Sequence, residues 1–184
     1  TGRAVFWPWG LRDLSGKQLD DSTETEGYFG GFWQWAADKI IRRPGTILVD
    51  TNARYLYYVL PGGKAVRYGV TVGEEALAWS GVASVGRMAE WPDWIPTAEI
   101  QARLGPYPKR IAGGPKNPLG ARAIYLYQGN KDTLYRIHGT NQPEYIGHAI
   151  SSGCIRMTNE DVIDLVKRVK PGGIVVVLPP GRSA

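Results

Sequence analysis

One segment alone carries a sustained helical period, and it limits the folds open to the whole chain. Val162, Leu165, Val166 and Val169 recur at i, i+3, i+4 and i+7, which places them on one face of a helix. Thr158 stands at the N-cap position, with Asp161 third in the helix. Lys167, Arg168 and Lys170 complement the negative end of its dipole, and Pro171-Gly172-Gly173 stops it. Most of the chain from residue 46 onward otherwise reads as short apolar runs bounded by turn residues. Thr46–Asp50 is one such run, and Arg54–Leu60 and Lys64–Val72 flank Pro61-Gly62-Gly63, a hairpin signal. Ala78–Gly86, Ala123–Gln128, Thr133–His138 and Ile174–Leu178 read as further strands. In Thr133–His138 a period of two puts Leu134, Arg136 and His138 on one face, and Tyr135 and Ile137 on the other. The chain is therefore predicted to be mainly β, with one helix of note and no internal repeat.

Two stretches depart from that rhythm. Residues 1–45 read as an N-terminal extension. Aromatic groups (Phe6, Trp7 and Trp9, then Tyr28 to Trp35) surround an acidic middle, and Gln34 to Arg43 suits a short helix. Aromatic clusters of this size are expected to pack on the main domain, residues 46–180. Residues 87–120 are rich in proline and glycine and contain Trp91-Pro92-Asp93-Trp94-Ile95-Pro96, with a short helical stretch from Thr97 to Leu104. So long a connection suits a lid or cleft loop.

The net charge of +5 falls wholly on residues 46–184, since acidic and basic side chains balance before them. A mildly basic domain suits an acidic polymer such as cell-wall glycopeptide, a membrane surface or nucleic acid, or simply a solvated surface that aids solubility. No dense Lys/Arg cluster of the nucleic-acid-binding kind is present, no apolar run reaches membrane-spanning length, and no dinucleotide fingerprint occurs. The chain opens at Thr1 without a signal-type segment, which fits a mature or trimmed form.

The chemistry concentrates on the single cysteine, Cys154, in the run Ser151-Ser152-Gly153-Cys154-Ile155-Arg156-Met157. Sixteen residues earlier stands His138, followed by Gly139 and Thr140. A lone thiol is either a small buried hydrophobe or a nucleophile. Gly153 before it allows a sharp turn and close approach of substrate, and His138 suits the role of base. The N-terminus of the Thr158 helix and the Arg156 guanidinium would lower the thiol's pKa and favour the thiolate, if they lie close in space. The N–H groups of Gly153 and Cys154 are candidates for an oxyanion hole. A zinc site from His138, His148 and Cys154 lacks a standard spacing and a further ligand.

At these residues the sequence resembles the L,D-transpeptidase family, the YkuD-type catalytic domain of bacterial cell-wall enzymes. Ile137-His138-Gly139-Thr140-Asn141 and Ser151 to Met157 anchor the resemblance, and Asn159-Glu160-Asp161-Val162 and the strand after Pro171-Gly172-Gly173 support it. Trp91–Ile95 and Gly113–Ala121 are similar to envelope-type members of Gram-negative bacteria. The family's usual histidine before Gly-Cys is here Ser152, which leaves His138 as the candidate base.

The resemblance implies a β-sandwich of mixed sheets, with Cys154 as acylated nucleophile and His138 as general base and acid. Gly139 would accept a hydrogen bond from the histidine through its carbonyl. Ser152, Gly153, Arg156 and Thr140 are the implied oxyanion and substrate-binding positions, with Arg156 either holding a substrate carboxylate or tying the loop to a sheet. The implied substrate is the peptidoglycan stem peptide, with no metal or organic cofactor and an exported, periplasmic or envelope location. The acyl acceptor would be a second stem peptide or an outer-membrane protein or lipoprotein. Residue types leave two alternatives open: a hydrolase (carboxypeptidase or amidase) on the same pair, and a non-catalytic wall-binding module.

Overall fold

The computed structural model describes residues 3–6, 41–73, 80–105, 108–151 and 154–178. The strands are β1 (Arg3–Phe6), β2 (Ile47–Asp50), β3 (Tyr55–Leu60), β4 (Lys64–Gly69), β5 (Val72–Gly73), β6 (Gly81–Glu90), β7 (Arg122–Gln128), β8 (Lys131–His138), β9 (Ala149–Ser151), β10 (Ile155–Arg156) and β11 (Ile174–Val177). Among the described residues the helices include α1 (Ala98–Leu104), α2 (Asn159–Arg168) and a short 3-10 turn, Pro143–Tyr145. Nine strands form one curled sheet in the order β1-β4-β3-β2-β11-β6-β7-β8-β10, and β5 pairs with β9 in a second, two-stranded one. The main sheet is mixed, because β11 runs parallel to β2 and β10 parallel to β8.

The apolar runs explain the layering. Ile47 and Val49 of β2 and Val175 and Val177 of β11 join the main core, together with Val162 and Leu165 of α2. The alternate residues Leu48 and Val176 face a second cluster with Ile41, Tyr57 and Ala65. Strands buried on both faces need continuous apolar sequence, which is why Ile-Leu-Val and Ile-Val-Val-Val show no alternation. The helix forms as its caps require. Thr158 Oγ1 accepts the Asp161 N–H at 3.1 Å, and Lys167 and Arg168 occupy the last turn.

Three expectations need correction. The expected strand Ala78–Gly86 instead runs from Gly81 to Glu90, with a bulge between Val85 and Met88 where Gly86 lies flat against the Tyr127 ring. A Cβ on Gly86 would come within 2.2 Å of that ring. The irregular connection therefore begins at Trp91 rather than at residue 87. In β8, Leu134 does not stay in line with Arg136 and His138. The strand bulges opposite the Tyr125–Tyr127 segment, Leu134 adopts a left-handed φ of 64°, and its side chain is 61% exposed. Asp132 Oδ1 accepts the Leu134 N–H at 2.8 Å, a local bond that competes with the ladder. The third correction is β1, which pairs antiparallel with β4 from Arg3↔Arg67 to Phe6↔Lys64, so part of the extension is a strand of the sheet. The aromatic residues from Trp7 to Trp35 and most of the expected helix up to Arg43 lie outside the described residues. No helix among the described residues is long and apolar enough to cross a membrane.

The connection from Trp91 to Ala121 is ordered by its own polar groups. Trp91 N–H donates to the Ala121 carbonyl at 2.9 Å and closes its base, and Trp94 bridges Ile111. Arg110 pairs with Asp93, whose other oxygen accepts the Gly113 N–H at 3.0 Å. Buried Asn117 donates to the Ile111 and Ala112 carbonyls and accepts from Leu119 N–H. The loop thus has few backbone groups left to chance where it returns to β7.

Candidate active site

Cys154 stands directly ahead of β10, and the ladder between β10 and β8 sets its surroundings. Ile155 faces Ile137 and Arg156 faces His138, so the position before Ile155 comes alongside Arg136. On its other side β10 is held by Thr71, with Thr71 and Arg156 exchanging both backbone bonds at 2.9 Å. Met157 N–H adds a bond of 2.8 Å to the His138 carbonyl. A two-residue strand cannot hold a thiol by itself; here two neighbours and the buried side chains of Ile155 and Met157 do so.

His138 ends β8 and is 3% exposed. Its Nδ1 lies 2.6 Å from the Gly139 carbonyl oxygen. A carbonyl only accepts, so Nδ1 carries the proton and Nε2 keeps its lone pair. Burial pushes the imidazole pKa down to about 4; backbone hydrogen bonding at Gly139 and Leu119 opposes this, while the Arg156 and Arg136 charges add to it. The ring is therefore neutral at pH 7, with the short Gly139 contact favouring the Nδ1 proton.

Cys154 is a half-buried thiol that takes part in no disulfide. The expectation of a ready thiolate is not met. Burial pushes its pKa up, and the Arg136 backbone N–H and the Arg136 and Arg156 charges offset this only in part. At rest the Cys154 thiol and the His138 imidazole are both neutral.

The two arginines differ. Arg136 is gripped by Asp132, Nη1 to Oδ1 at 2.7 Å and Nη2 to Oδ2 at 2.9 Å. Its guanidinium lies 4.4 Å from the centre of the Tyr125 ring, which also carries Arg87 at 3.6 Å. Arg156 is half-buried, and burial lowers its pKa. Among the described residues no carboxylate pairs with it. A desolvated guanidinium with no carboxylate partner among the described residues is suited to receive an anion.

Thr140 is buried beside the histidine, but its Oγ1 accepts the Gln142 N–H at 3.0 Å and so supports the turn that follows. Ser152 and Gly153 lie outside the described residues. His148 is exposed on the segment before β9. Asn141 Nδ2 donates to the Lys116 carbonyl at 3.0 Å and ties the ordered loop to the segment after His138. Two residues were not singled out for a role from the sequence. Arg136 was visible in the shared face with His138. Asn159 stands in the Asn159–Val162 run that supports the resemblance, without a role attached; its Oδ1 accepts both Ala121 N–H at 2.9 Å and Thr140 N–H at 3.2 Å, contacts between segments far apart in the chain.

Comparison with known proteins identifies the family. The family model described as the L,D-transpeptidase catalytic domain matches residues 44–177. The protein named probable L,D-transpeptidase YcfS of Escherichia coli is 34% identical over 142 residues, covering 72% of this chain and 43% of that protein. The chain thus spans less than half the length of this relative. Among solved structures, a Brucella melitensis protein named probable carnitine operon oxidoreductase caia is 51% identical, with a TM-score of 0.50, and the match covers 74% of this chain and 87% of that one. An L,D-transpeptidase from Mycobacterium smegmatis shares the fold at 13% identity, with a TM-score of 0.55 over 72% of this chain and 58% of that one.

Proposed function

The chain belongs to the L,D-transpeptidase catalytic-domain family, and we propose that it transfers peptidoglycan stem-peptide acyl groups through Cys154. The observation that carries this reading is the fixed, neutral His138: its Nδ1 proton is held by Gly139, which leaves Nε2 as base on the strand beside the cysteine. In the first step Nε2 takes the thiol proton as Sγ attacks the carbonyl on the L-centre of diaminopimelate, position three of a tetrapeptide. The imidazolium then protonates the departing nitrogen of D-alanine, the C–N bond breaks, and a thioester remains. In the second step an incoming amine loses its proton to Nε2 and displaces Sγ, which recovers the proton.

Backbone N–H groups at Gly153 and Cys154 would take the oxyanion, with Ser152 as a further binding candidate. Arg156 would bind the free carboxylate of the donor, and Thr140 supports the turn beside the base. The loop from Trp91 to Ala121 covers the cleft. Residues 46–180 would form the catalytic domain, with β1 of the extension added to its sheet. The location is the cell envelope of a Gram-negative bacterium, and the acceptor is a second stem peptide or an envelope protein. The oxidoreductase name of the Brucella protein is not followed, because the sequence contains no Gly-x-Gly element of a dinucleotide site.

Incubation of the reduced protein with a diaminopimelate tetrapeptide muropeptide and a D-amino acid tests the reading by intact mass and product analysis. An adduct on Cys154, absent in Cys154→Ala, is expected together with exchanged or crosslinked product. Hydrolysis alone, even with amine in excess, would replace the transferase with a carboxypeptidase; no adduct at all would remove both.

A further inference from the structure

The carbonyl that orients His138 belongs to a peptide unit whose other end is held by Asn159. Gly139 C=O and Thr140 N–H are parts of one planar group. His138 Nδ1 donates to its oxygen at 2.6 Å, and its N–H donates to Asn159 Oδ1 at 3.2 Å. The same Oδ1 accepts Ala121 N–H at 2.9 Å. Two donors converging on one atom fix that atom as oxygen, since the amide nitrogen in its place would face two N–H groups. The segments around this oxygen are cut to fit it. A Cβ on Gly139 would lie 2.3 Å from Asn159 Oδ1, and one on Gly120 would lie 2.2 Å from it. Gly120 also takes a left-handed φ of 60°.

We propose that Asn159 is a positioning residue for the base, acting through the Gly139–Thr140 peptide. This rests on the proposed role of His138. Rigid planarity carries the position of the side-chain oxygen to the carbonyl, and the carbonyl sets the ring tautomer and direction. An acceptor on the N–H end also polarises the C=O end, strengthening its hold on the Nδ1 proton. Asn159 is the first residue of α2, directly after the Thr158 cap, so the helix N-terminus serves as its mount. The whole path, from helix to side chain to peptide to imidazole, contains two hydrogen bonds and one rigid group.

The test compares Asn159→Ala, Asn159→Asp and the wild type. Nitrogen-15 chemical shifts of the His138 ring at pH 7 report the tautomer without any substrate, so they remain readable if the wild type proves inactive. The wild type is expected to show protonated Nδ1, and Asn159→Ala a mixture of tautomers. Asn159→Asp keeps the acceptor, so it should restore the Nδ1 tautomer. Its charge should also move the acid limb of Cys154 acylation to higher pH. For Asn159→Ala we expect roughly a tenfold to hundredfold loss in the acylation rate at saturating donor, with KM little changed. Folded Asn159→Ala with a wild-type tautomer and pH profile would overturn the proposal, even if its thermal stability fell. Should the mutant fail to fold, Asn159→Asp alone decides: an unchanged acid limb in that variant overturns the proposal.

Discussion

Acidification should destabilise this protein through His138 well before most of its carboxylates titrate. An exposed histidine in the unfolded chain takes up a proton near pH 6.5, whereas the folded ring resists protonation down to about pH 4. Between those values the unfolded state binds more protons, so stability rises with pH and is lost as the pH falls. The contribution is flat above pH 6.5. At pH 5 it amounts to a loss of about 2 kcal/mol relative to pH 7, and by pH 4 about 3 kcal/mol, from 1.36 kcal/mol per pKa unit. Urea unfolding at pH 7, 6 and 5 measures it, with His138→Gln as the control because glutamine does not titrate. The absolute stability of the variant is irrelevant; only its slope with pH matters, and carboxylate contributions cancel in the comparison. The wild type should lose about 2 kcal/mol more than the variant between pH 7 and 5. Parallel curves would refute a buried, neutral histidine and, with it, the resting state from which acyl transfer is argued to begin. The acid limb of Cys154 acylation should fall near the same low pH rather than at 6.5.

Three other outcomes follow from single contacts. Arg156→Gln should raise KM for a donor with a free diaminopimelate carboxylate and leave an amidated donor unaffected; equal losses on both would assign Arg156 to the fold. Leu134→Gly should stabilise the protein by about 0.5–1 kcal/mol in chemical denaturation, because it removes a left-handed leucine that buries little; a loss above 1 kcal/mol would show that the exposed side chain matters. Tyr68→Phe removes the 2.7 Å bond from the buried phenol to Asp164 Oδ2 and should cost about 1–2 kcal/mol, with the pH profile of Cys154 acylation unchanged.

The strands and the helix were legible because their signals are local. Thr158, the Val162–Val169 face and Pro171-Gly172-Gly173 state a helix with both ends, and α2 occupies that span. The Pro61-Gly62-Gly63 turn states its hairpin, and β3 and β4 pair from Leu60↔Lys64 outward. What escaped the reading depends on contacts between distant segments. The parallel placement of β10 beside β8 needs Thr71 on its far side, 85 positions away in sequence from Arg156. The β8 bulge arises from Asp132 and Thr133 binding the backbone ahead of them, which a strict period of two cannot register. Cys154 and His138 were legible as a pair, but their charge states were not. Those states follow from burial, and burial is a property of the assembled core.

Burial sets a constraint on the mechanism that the residue types do not reveal. A thiolate–imidazolium pair at rest would place two charges where desolvation disfavours both. With the thiol pushed up and the imidazole pushed down, the proton stays on sulfur until substrate arrives. Transfer to Nε2 must then accompany attack on the carbonyl, when negative charge is already moving from sulfur to oxygen. The arginines fit that sequence. Arg136, held by Asp132, contributes a fixed field at the sulfur, while Arg156 has no carboxylate partner among the described residues and would take one from a bound donor. A carboxylate docked on Arg156 would screen a charge that both depresses His138 and stabilises the Cys154 thiolate, so it would raise the affinity of Nε2 for a proton while holding the thiol proton more firmly. The two effects oppose each other, so the thiol stays protonated with or without donor and slow to react with oxidants. Alkylation of Cys154 by a small neutral electrophile should accordingly not quicken when a non-hydrolysable carboxylate peptide is bound without blocking the sulfur. A clear rise in rate with that peptide would mean that the effect on the base outweighs the effect on the thiol.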